Sequence, residues 1–295
     1  CIFTFSFPVE QTSKLRGKVI QWTKGYDLEM GIDPVEELEK AFMRQQGVQI
    51  QCDLLLNDTT ATLLAGHAIK SSCAVGMILG TGTNICLAIP KNGTSYRNNL
   101  DQVESVLINV ESGHFNKQLP RLPVDILIDE QSTNPGEQWE EKMVAGRYLG
   151  DISGFIIKEY LENKYHKPLD ETGFSLSSEE VGQYQNMTEN SIMSELRPRL
   201  NLNLDMDDGG TIQSICIAVT KRSAYISAAM IMGSILFLNQ EKEDLRSVAI
   251  DGSLYNVHPH YKTYVQEGLD LLEPDWRGYI NVFGVSEGSL LGGGG

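Results

Sequence analysis

Residues 54–66 read LLLNDTTATLLAG, and this stretch decides the fold class. The three leucines end a buried strand predicted over residues 48–56, and the apolar pattern from Thr59 to Ile69 predicts a helix. Asn57 and Asp58 lie at the junction between them. In α/β sheets, ligands bind at the carboxyl ends of strands, beside helix N-termini. The junction is therefore a candidate binding site, although Asn or Asp before a helix is also a common N-cap, which is the simpler explanation when the junction is taken alone.

The pattern on both sides of this stretch alternates between strands and helices. Further strands are predicted at residues 2–7, 74–89 (two strands around a Gly-Thr turn), 106–111, 125–129, 247–253 and 279–289. Further helices are predicted at residues 34–47, 138–160, 211–239 and 259–272, with short helices and loops over 163–211. This alternation is typical of the α/β class with a partly parallel sheet.

The composition argues against several classes of protein. The chain has 295 residues and a formal net charge of −15, which disfavours a nucleic-acid surface because such surfaces need basic patches. The five cysteines form no C-x-x-C motif, so we expect a reducing, cytoplasmic compartment and neither a disulfide framework nor a zinc site. The longest apolar run, residues 224–238, is interrupted and shorter than the roughly 20 residues of a membrane span. We interpret it as a core helix.

A second strand-to-turn element reads LGTGTN, from Leu79 to Asn84. Its two glycines and two threonines would let backbone N–H groups and hydroxyls approach a phosphate closely. The same residues could simply close a β-hairpin, and they match neither a Walker loop nor the G-x-G-x-x-G fingerprint. The element therefore indicates phosphate binding only in combination with other motifs.

Amides and carboxylates also fall at other strand ends and turns. Glu111 ends a predicted strand, and Asn134, Gln138 and Glu141 surround a Pro-Gly turn and the start of a helix. A carboxylate accepts hydrogen bonds from two neighbouring hydroxyls at once, so these residues suit a ligand rich in hydroxyls, such as a sugar. Glu141 could equally pair with a surface lysine.

Taken in order, these motifs resemble those of the hexokinase and glucokinase family, and their amino-acid sequences are most similar to those of fungal members. FTFSFP (3–8), WTKG (22–25) and NDT (57–59) resemble the family's sugar loop, sugar-binding Thr-Lys and catalytic Asn-Asp. NVESGHF (109–115) and STNPGEQWEEK (132–142) resemble the segments that carry its two sugar-binding glutamates. GTGTN (80–84), VTKRSAY (219–225) and IDGSLYNVHPHY (250–261) resemble its second phosphate motif, nucleotide-side helix and adenosine motif.

The resemblance implies a two-lobed fold of the actin-like ATPase, ribonuclease H-like type, incomplete at both ends. Residues 1–57 would be the remainder of the small domain and residues 58–295 the large domain. The implied activity is phosphorylation of the 6-hydroxyl of glucose or a related hexose, with ATP, Mg²⁺ and Asp58 as general base. No residue is assigned to the metal. The hexose would be held by Ser6, Thr23, Lys24, Asn57, Asn84, Glu111, Gln138 and Glu141. The nucleotide side would comprise Gly80, Thr81, Gly82, Thr83, Lys221, Gly252 and Ser253.

Departures from the family pattern leave two alternatives open. A Gly-Gly-Thr phosphate loop, which would precede Cys1, does not occur, and residues 285–295 replace the family's last turn and helix. This favours a non-catalytic hexokinase-like sugar sensor or regulator as one alternative. Ser112 replaces a tryptophan common in the family, and Glu137 replaces a glutamine, so N-acetylglucosamine kinase is the other. The oligomeric state is not predicted.

Overall fold

The computed structural model describes residues 1–22, 28–91, 105–169, 174–238 and 246–286. The strands are β1 (Ile2–Thr4), β2 (Val9–Gln11), β3 (Gly17–Val19), β4 (Leu54–Leu56), β5 (Cys73–Leu79), β6 (Thr83–Pro90), β7 (Ser105–Asn109), β8 (Arg246–Asp251) and β9 (Ile280–Gly284). The helices are α1 (Pro34–Gln46), α2 (Asp58–Ile69), α3 (Pro123–Gln131), α4 (Trp139–Val144), α5 (Gly146–Tyr165), α6 (Ser178–Tyr184), α7 (Glu189–Leu200), α8 (Met206–Phe237), α9 (Ser253–Asn256) and α10 (Tyr261–Leu272). Short 3₁₀ turns cover Ser112–His114 and Pro274–Trp276.

A mixed sheet of five strands, in the order β7-β6-β5-β8-β9, forms the centre of the fold. β5 pairs parallel with β8 and antiparallel with β6, as the predicted α/β class with a partly parallel sheet requires. Side chains alternate between the faces of a strand, and Val75, Met77 and Leu79 join the core that α8 and α10 cover. On the other face α2 packs so closely that a Cβ on Gly76 would lie 2.6 Å from the amide nitrogen of Leu63. The ends of β5 and β8 are thereby fixed between two layers of helices.

The described residues before α2, called the N-terminal unit below, carry two small sheets of their own. β1 pairs parallel with β4, and β2 pairs antiparallel with β3. Helix α1 covers a small core around Val35, Cys52 and Leu55. This helix begins and ends as predicted, because the Asp33 carboxylate accepts from two N-terminal amides and Gly47 ends it in the left-handed conformation, with φ 63°. The strand predicted over residues 48–56 is confirmed only for β4.

The strand predicted over residues 2–7 is likewise confirmed only for β1, and three further predicted elements differ as follows. Residues 125–129 belong to helix α3, not to a strand, because Pro123 starts the helix and the Asp125 carboxylate accepts from the Leu122 amide at 2.7 Å. The helix predicted over 138–160 is interrupted at Ala145, whose backbone is extended, and so becomes α4 and α5. Helix α8 begins five residues earlier than predicted, where Asp205 and Asp208 form a capping box.

Helix α8 contains the apolar run that we interpreted as a core helix. By length and composition it is the one helix among the described ranges that could cross a membrane. Half of its most apolar stretch is nevertheless buried within the fold, where α8 packs against α10 and α7. Its first turns also join a second hydrophobic core with α5, α6 and α7.

Candidate active site

The junction of β4 and α2 places Asn57 and Asp58 at the start of a helix. Asn57 is the N-cap, since the Thr59 amide donates to its Oδ1 at 2.9 Å. The capping explanation is therefore correct for Asn57. Asp58 lies in the first helical turn and is half-buried, and its Oδ1 accepts from the Thr59 amide at 2.8 Å. Its side chain also lines a cleft between the N-terminal unit and the large sheet.

Most of the residues predicted to hold a sugar line this one cleft. They come from the β1–β2 connection, the start of α2, the β5–β6 turn, the segment after β7 and helix α4. The cleft is lined by Ser6, Pro8, Asp58, Ile78, Gly82, Thr83, Asn84, Glu111, Gly113, His114, Gln138 and Glu141. Segments that are far apart in the chain thus bring three carboxylates, two side-chain amides and a serine hydroxyl together.

Asn109 connects several of these side chains, although the sequence analysis assigned it no role. Its Nδ2 donates to Glu111 at 2.6 Å, and its Oδ1 accepts from Asn84 at 2.8 Å and from the Thr59 hydroxyl at 3.1 Å. Asn109 is the last residue of β7, at the edge of the sheet. The signal that could have found it is the polar residue in VLINVE at a strand end.

Glu141 joins the β5–β6 turn to helix α4. The Thr83 amide donates to its Oε2 at 3.2 Å. Gly113 packs against the same side chain, because a Cβ there would lie 3.3 Å from the Glu141 Cβ. Glu141 is not a surface residue, since only 8% of it is exposed, and it lines the cleft.

Two residues that line the cleft have strained backbones. Glu111 and Gln138 adopt left-handed conformations, with φ of 54° and 52°. For a residue with a Cβ this costs about 1–2 kcal/mol, and such strain is concentrated at functional sites. The surrounding contacts must therefore hold both side chains in place.

Glu140 is an unusual neighbour of Glu141. It is completely buried, and among the described residues neither of its carboxyl oxygens has a hydrogen-bond partner. Burial, with a smaller contribution from the charge of Glu141, raises the pKa of Glu140 well above its ordinary value. Burial therefore favours the neutral, protonated form of the Glu140 carboxyl in the folded protein.

The aromatic rings on either side of Ser6 in the sequence pack together with Trp22 on the N-terminal side of the cleft. Phe5 and Phe7 lie 5.3 Å apart, and Trp22 stacks edge-on against Phe7 at 5.0 Å. Trp22, the first residue of WTKG, thereby packs against the FTFSFP segment. The predicted sugar ligands Thr23 and Lys24 lie outside the described residues.

Three glycines meet on the other side of the β5–β6 turn. The Gly146 amide donates to the Gly80 carbonyl at 2.8 Å, and a Cβ on Gly80 would lie 3.5 Å from the Gly252 Cα. Gly252 has a φ of 117°, and a Cβ there would lie 2.4 Å from the Leu79 carbonyl oxygen. Only glycine permits this approach, which brings the ends of β5 and β8 together.

Beside these glycines lies a cavity of about 580 Å³, within the range of ligand pockets. Burial lowers the pKa of His258 at its rim, which favours the neutral ring. The lining residues are Gly80, Thr81, Gly146, Arg147, Ser178, Glu179, Gln183, Ser253, Leu254, Val257, His258 and Pro259. Gly80, Thr81 and Ser253 were predicted here. Arg147, Ser178, Glu179 and Gln183 were not, because they occur in no recognised motif, and His258 lies within IDGSLYNVHPHY but was assigned no role.

The remaining predicted nucleotide residues lie elsewhere. Gly82 and Thr83 line the cleft around Asp58. Lys221 donates to Glu267 at 3.0 Å, lies over the Tyr264 ring and lines a separate apolar groove between β7 and α8. The structure does not bring Lys221 to the cavity beside the three glycines.

The oxygen-rich cleft suits a hard cation such as Mg²⁺ chemically. Within the described parts of the chain, however, no three histidine, cysteine or acidic side chains lie close enough together to hold a metal ion. Mg²⁺ usually keeps several waters and binds proteins through one or two carboxylates plus substrate phosphates.

Comparisons with known proteins agree with this geometry. Family models described as hexokinase match residues 2–68 and 74–294. Hexokinase-1 of Spinacia oleracea is 33% identical over 98% of this chain and 62% of its own length. Hexokinase-7 of Oryza sativa is 34% identical over 98% of this chain and 66% of its own length. Hexokinase-1 of Schizosaccharomyces pombe is 30% identical over 98% of this chain and 63% of its own length. These plant and fungal identities are alike, so they do not single out the fungal members.

Solved structures give the same result. A hexokinase from Schistosoma mansoni complexed with glucose superposes with a TM-score of 0.81 at 26% identity, covering 99% of this chain and 68% of that one. Another hexokinase crystal structure superposes with a TM-score of 0.77 at 30% identity, covering 99% of this chain and 66% of that one. The predicted actin-like ATPase fold is confirmed by these neighbours. The chain spans about two thirds of the length of its relatives, and it belongs to the hexokinase family.

Proposed function

We propose that this chain carries the hexose site and much of the nucleotide site of a hexokinase that phosphorylates the 6-hydroxyl of glucose or a related hexose with ATP. The observation that carries the proposal is the cleft around Asp58. Seven other predicted residues from separate segments line it, namely Ser6, Gly82, Thr83, Asn84, Glu111, Gln138 and Glu141.

The cleft offers the chemistry that a sugar requires. Glu111 and Glu141 can each accept from neighbouring hydroxyls, and Asn84 and Gln138 can both donate and accept. A hydrogen bond to a charged group contributes about 1.5–3 kcal/mol. With the ring held in this way, Asp58 accepts the proton of the 6-hydroxyl, and a positioned base of this kind accelerates a reaction by about 10²–10⁴-fold. Asn57 caps the helix and so fixes the backbone that carries the base.

The nucleotide-side cavity is suited to ATP as the second substrate. The turns at Gly80–Thr81 and Gly252–Ser253 offer backbone N–H groups to phosphates, and exposed Arg147 offers a cation. Leu254, Val257 and Pro259 provide apolar surface for a base. Mg²⁺, held mainly by the ATP phosphates, would neutralise phosphate charge when bound.

Two further points belong to the proposal. Residues 1–57 would be the remainder of the small domain and residues 58–295 the large domain, so that the cleft lies between two lobes. We also propose a cytoplasmic location, because all five cysteines are free thiols. Compartments differ within the family, since a relative from Nicotiana tabacum is named chloroplastic. Microscopy of a fluorescent fusion tests the location.

The function is tested by sugar-dependent ADP release. We expect glucose-dependent turnover by the parent and a loss of about 10²–10⁴-fold in kcat for Asp58→Asn, with glucose affinity nearly unchanged. Asp53→Asn, which changes an exposed acid just before β4, is the control and should keep parent activity. An Asp58→Asn variant that turns over at the parent rate would refute the assignment.

The same assay separates the alternatives. Ser112 is buried, and its hydroxyl has no hydrogen-bond partner among the described residues, so a polar sugar substituent near it deserves a test. Faster turnover with N-acetylglucosamine than with glucose would change the substrate. Calorimetric glucose binding without ADP release would support a sensor instead of an enzyme.

A further inference from the structure

A buried ion pair lies directly behind the sugar-side cleft. Lys142 on α4 donates to Asp129 on α3 at 2.5 Å, and their side chains are only 1% and 7% exposed. Lys142 follows Glu141 in the sequence, and Asp129 precedes the turn that leads to Gln138. The pair therefore joins the end of α3, which leads into the turn before Gln138, to the helix α4 that carries Glu141.

The pair also holds the backbone of the intervening turn. Both Asp129 oxygens accept from the Gly136 amide, at 3.0 and 2.9 Å, and Lys142 donates a second hydrogen bond to the Asn134 carbonyl at 2.8 Å. Asn134 in turn donates from its side chain to Gln138 Oε1 at 2.5 Å. The chain of contacts runs without a gap from the ion pair to Gln138.

Stability alone is a poor explanation for such a pair. Removing two charges from water is costly, and well-packed apolar residues of similar volume often serve as well or better. The neighbourhood could accommodate them, since Trp139, Met143 and Val144 on the same helix are buried. What apolar side chains cannot do is bind the Gly136 amide and the Asn134 carbonyl. Gln138 needs this support, because its left-handed backbone is unfavourable for a residue with a Cβ.

We propose that Lys142 and Asp129 are positioning residues for the hexose site. They fix the Asn134–Gly136 turn so that Gln138 faces the cleft, and they anchor α4 beside Glu141. This role rests on the proposed function, since it takes Gln138 and Glu141 to be sugar ligands.

The test compares Lys142→Met and Asp129→Asn with a matched control. Lys164→Met breaks another ion pair with a buried carboxylate, that of Asp208 at 2.7 Å, on α5 and α8 away from the cleft. Glucose and ATP dissociation constants are measured by calorimetry, well below the melting temperature of each variant. We expect both test variants to weaken glucose binding by about tenfold, as the loss of one or two hydrogen bonds would do, with ATP binding within about twofold of the parent. The control should lower the melting temperature and leave glucose binding unchanged.

The outcomes distinguish this role from the proposed function. A parent that binds no hexose refutes the function and the positioning role together. A parent that binds glucose, with test variants that melt earlier but bind it equally well, refutes the positioning role alone. If the variants do not fold, hydrogen exchange in the parent decides: the Gly136 amide should exchange slowly although this residue is exposed, and fast exchange would overturn the inference.

Discussion

Replacing Glu140 by leucine should stabilise the fold, and the gain should increase as the pH rises. Glu140 is fully buried, and neither carboxyl oxygen has a hydrogen-bond partner among the described residues. Its folded-state pKa is raised well above the ordinary value of 4.5, so the folded state binds the proton more tightly than the unfolded chain. Below pH 4.5 both states are protonated and no stability is lost. As the pH rises above it, Glu140 ionises in the unfolded chain before it ionises in the folded protein.

Two contributions determine how much Glu140→Leu raises the free energy of unfolding. An unsatisfied buried polar group costs about 1–3 kcal/mol, and this cost is present even at low pH. Between the unfolded and folded pKa values, ionisation of the unfolded chain lowers the free energy of unfolding by a further amount, about 1.4 kcal/mol per pH unit. Glu140→Leu removes both contributions. Glu140→Gln keeps an uncharged polar group of the same shape and removes only the pH-dependent part.

The assay is urea unfolding of the parent and both variants at a series of pH values from 4 to 8. Differences between parent and variant cancel the titration of all other groups, so the difference curve reports Glu140. We expect both variants to gain on the parent with rising pH, with Glu140→Leu above Glu140→Gln throughout. A difference that does not change with pH would show that Glu140 is not a neutral buried acid, and the reasoning would be refuted.

Three further results are expected. Gly252→Ala should lower the free energy of unfolding by about 1–3 kcal/mol, because the φ of Gly252 is 117° and the new Cβ would lie 2.4 Å from the Leu79 carbonyl oxygen. In calorimetry the same variant should weaken ATP binding more than glucose binding. Equal weakening of both ligands would contradict this expectation. Asn109→Ala should raise the glucose KM by roughly tenfold with little change in kcat, since it removes the hydrogen bond to Glu111, and an unchanged KM would count against the network. Burial raises the pKa of the Cys73 and Cys86 thiols to about 11. At pH 8 a thiol reagent should therefore modify exposed Cys1 rapidly and the buried cysteines only after denaturation. Rapid modification of Cys73 or Cys86 in the folded chain would contradict this expectation.

Local signals predicted the elements that local interactions determine. Asp33-Pro34 and Gly47 bound α1 because capping involves only neighbouring backbone groups. The Gly-Thr turn after β5 and the Asn-Asp junction before α2 are likewise short-range features. The strand predicted over residues 125–129 was wrong for the same reason: three apolar residues between two aspartates read as a strand, and the helix-starting Pro123 was not taken into account.

The rest of the site depends on tertiary contacts that no local pattern contains. Asn109 acquires its role because β7 ends beside Asn84 and Glu111, and Arg147 because α5 begins against Gly80. Lys142 looks like an ordinary surface lysine in the sequence, yet it is almost completely buried against Asp129. Family resemblance could indicate which motifs belong to the site, but it did not show which side chains hold them in place.

The meeting of Gly80, Gly146 and Gly252 affects how the proposed nucleotide site forms during folding. These residues lie in regions far apart in the chain, so no hairpin or helix pair contains the whole wall of the cavity. Contacts between remote segments form late, because the entropy of closing long loops opposes them. An intermediate with the β5–β6 hairpin already formed would still fail to bind nucleotide. The recovery of nucleotide binding during refolding therefore marks the end of assembly, whereas recovery of helical circular dichroism marks its beginning.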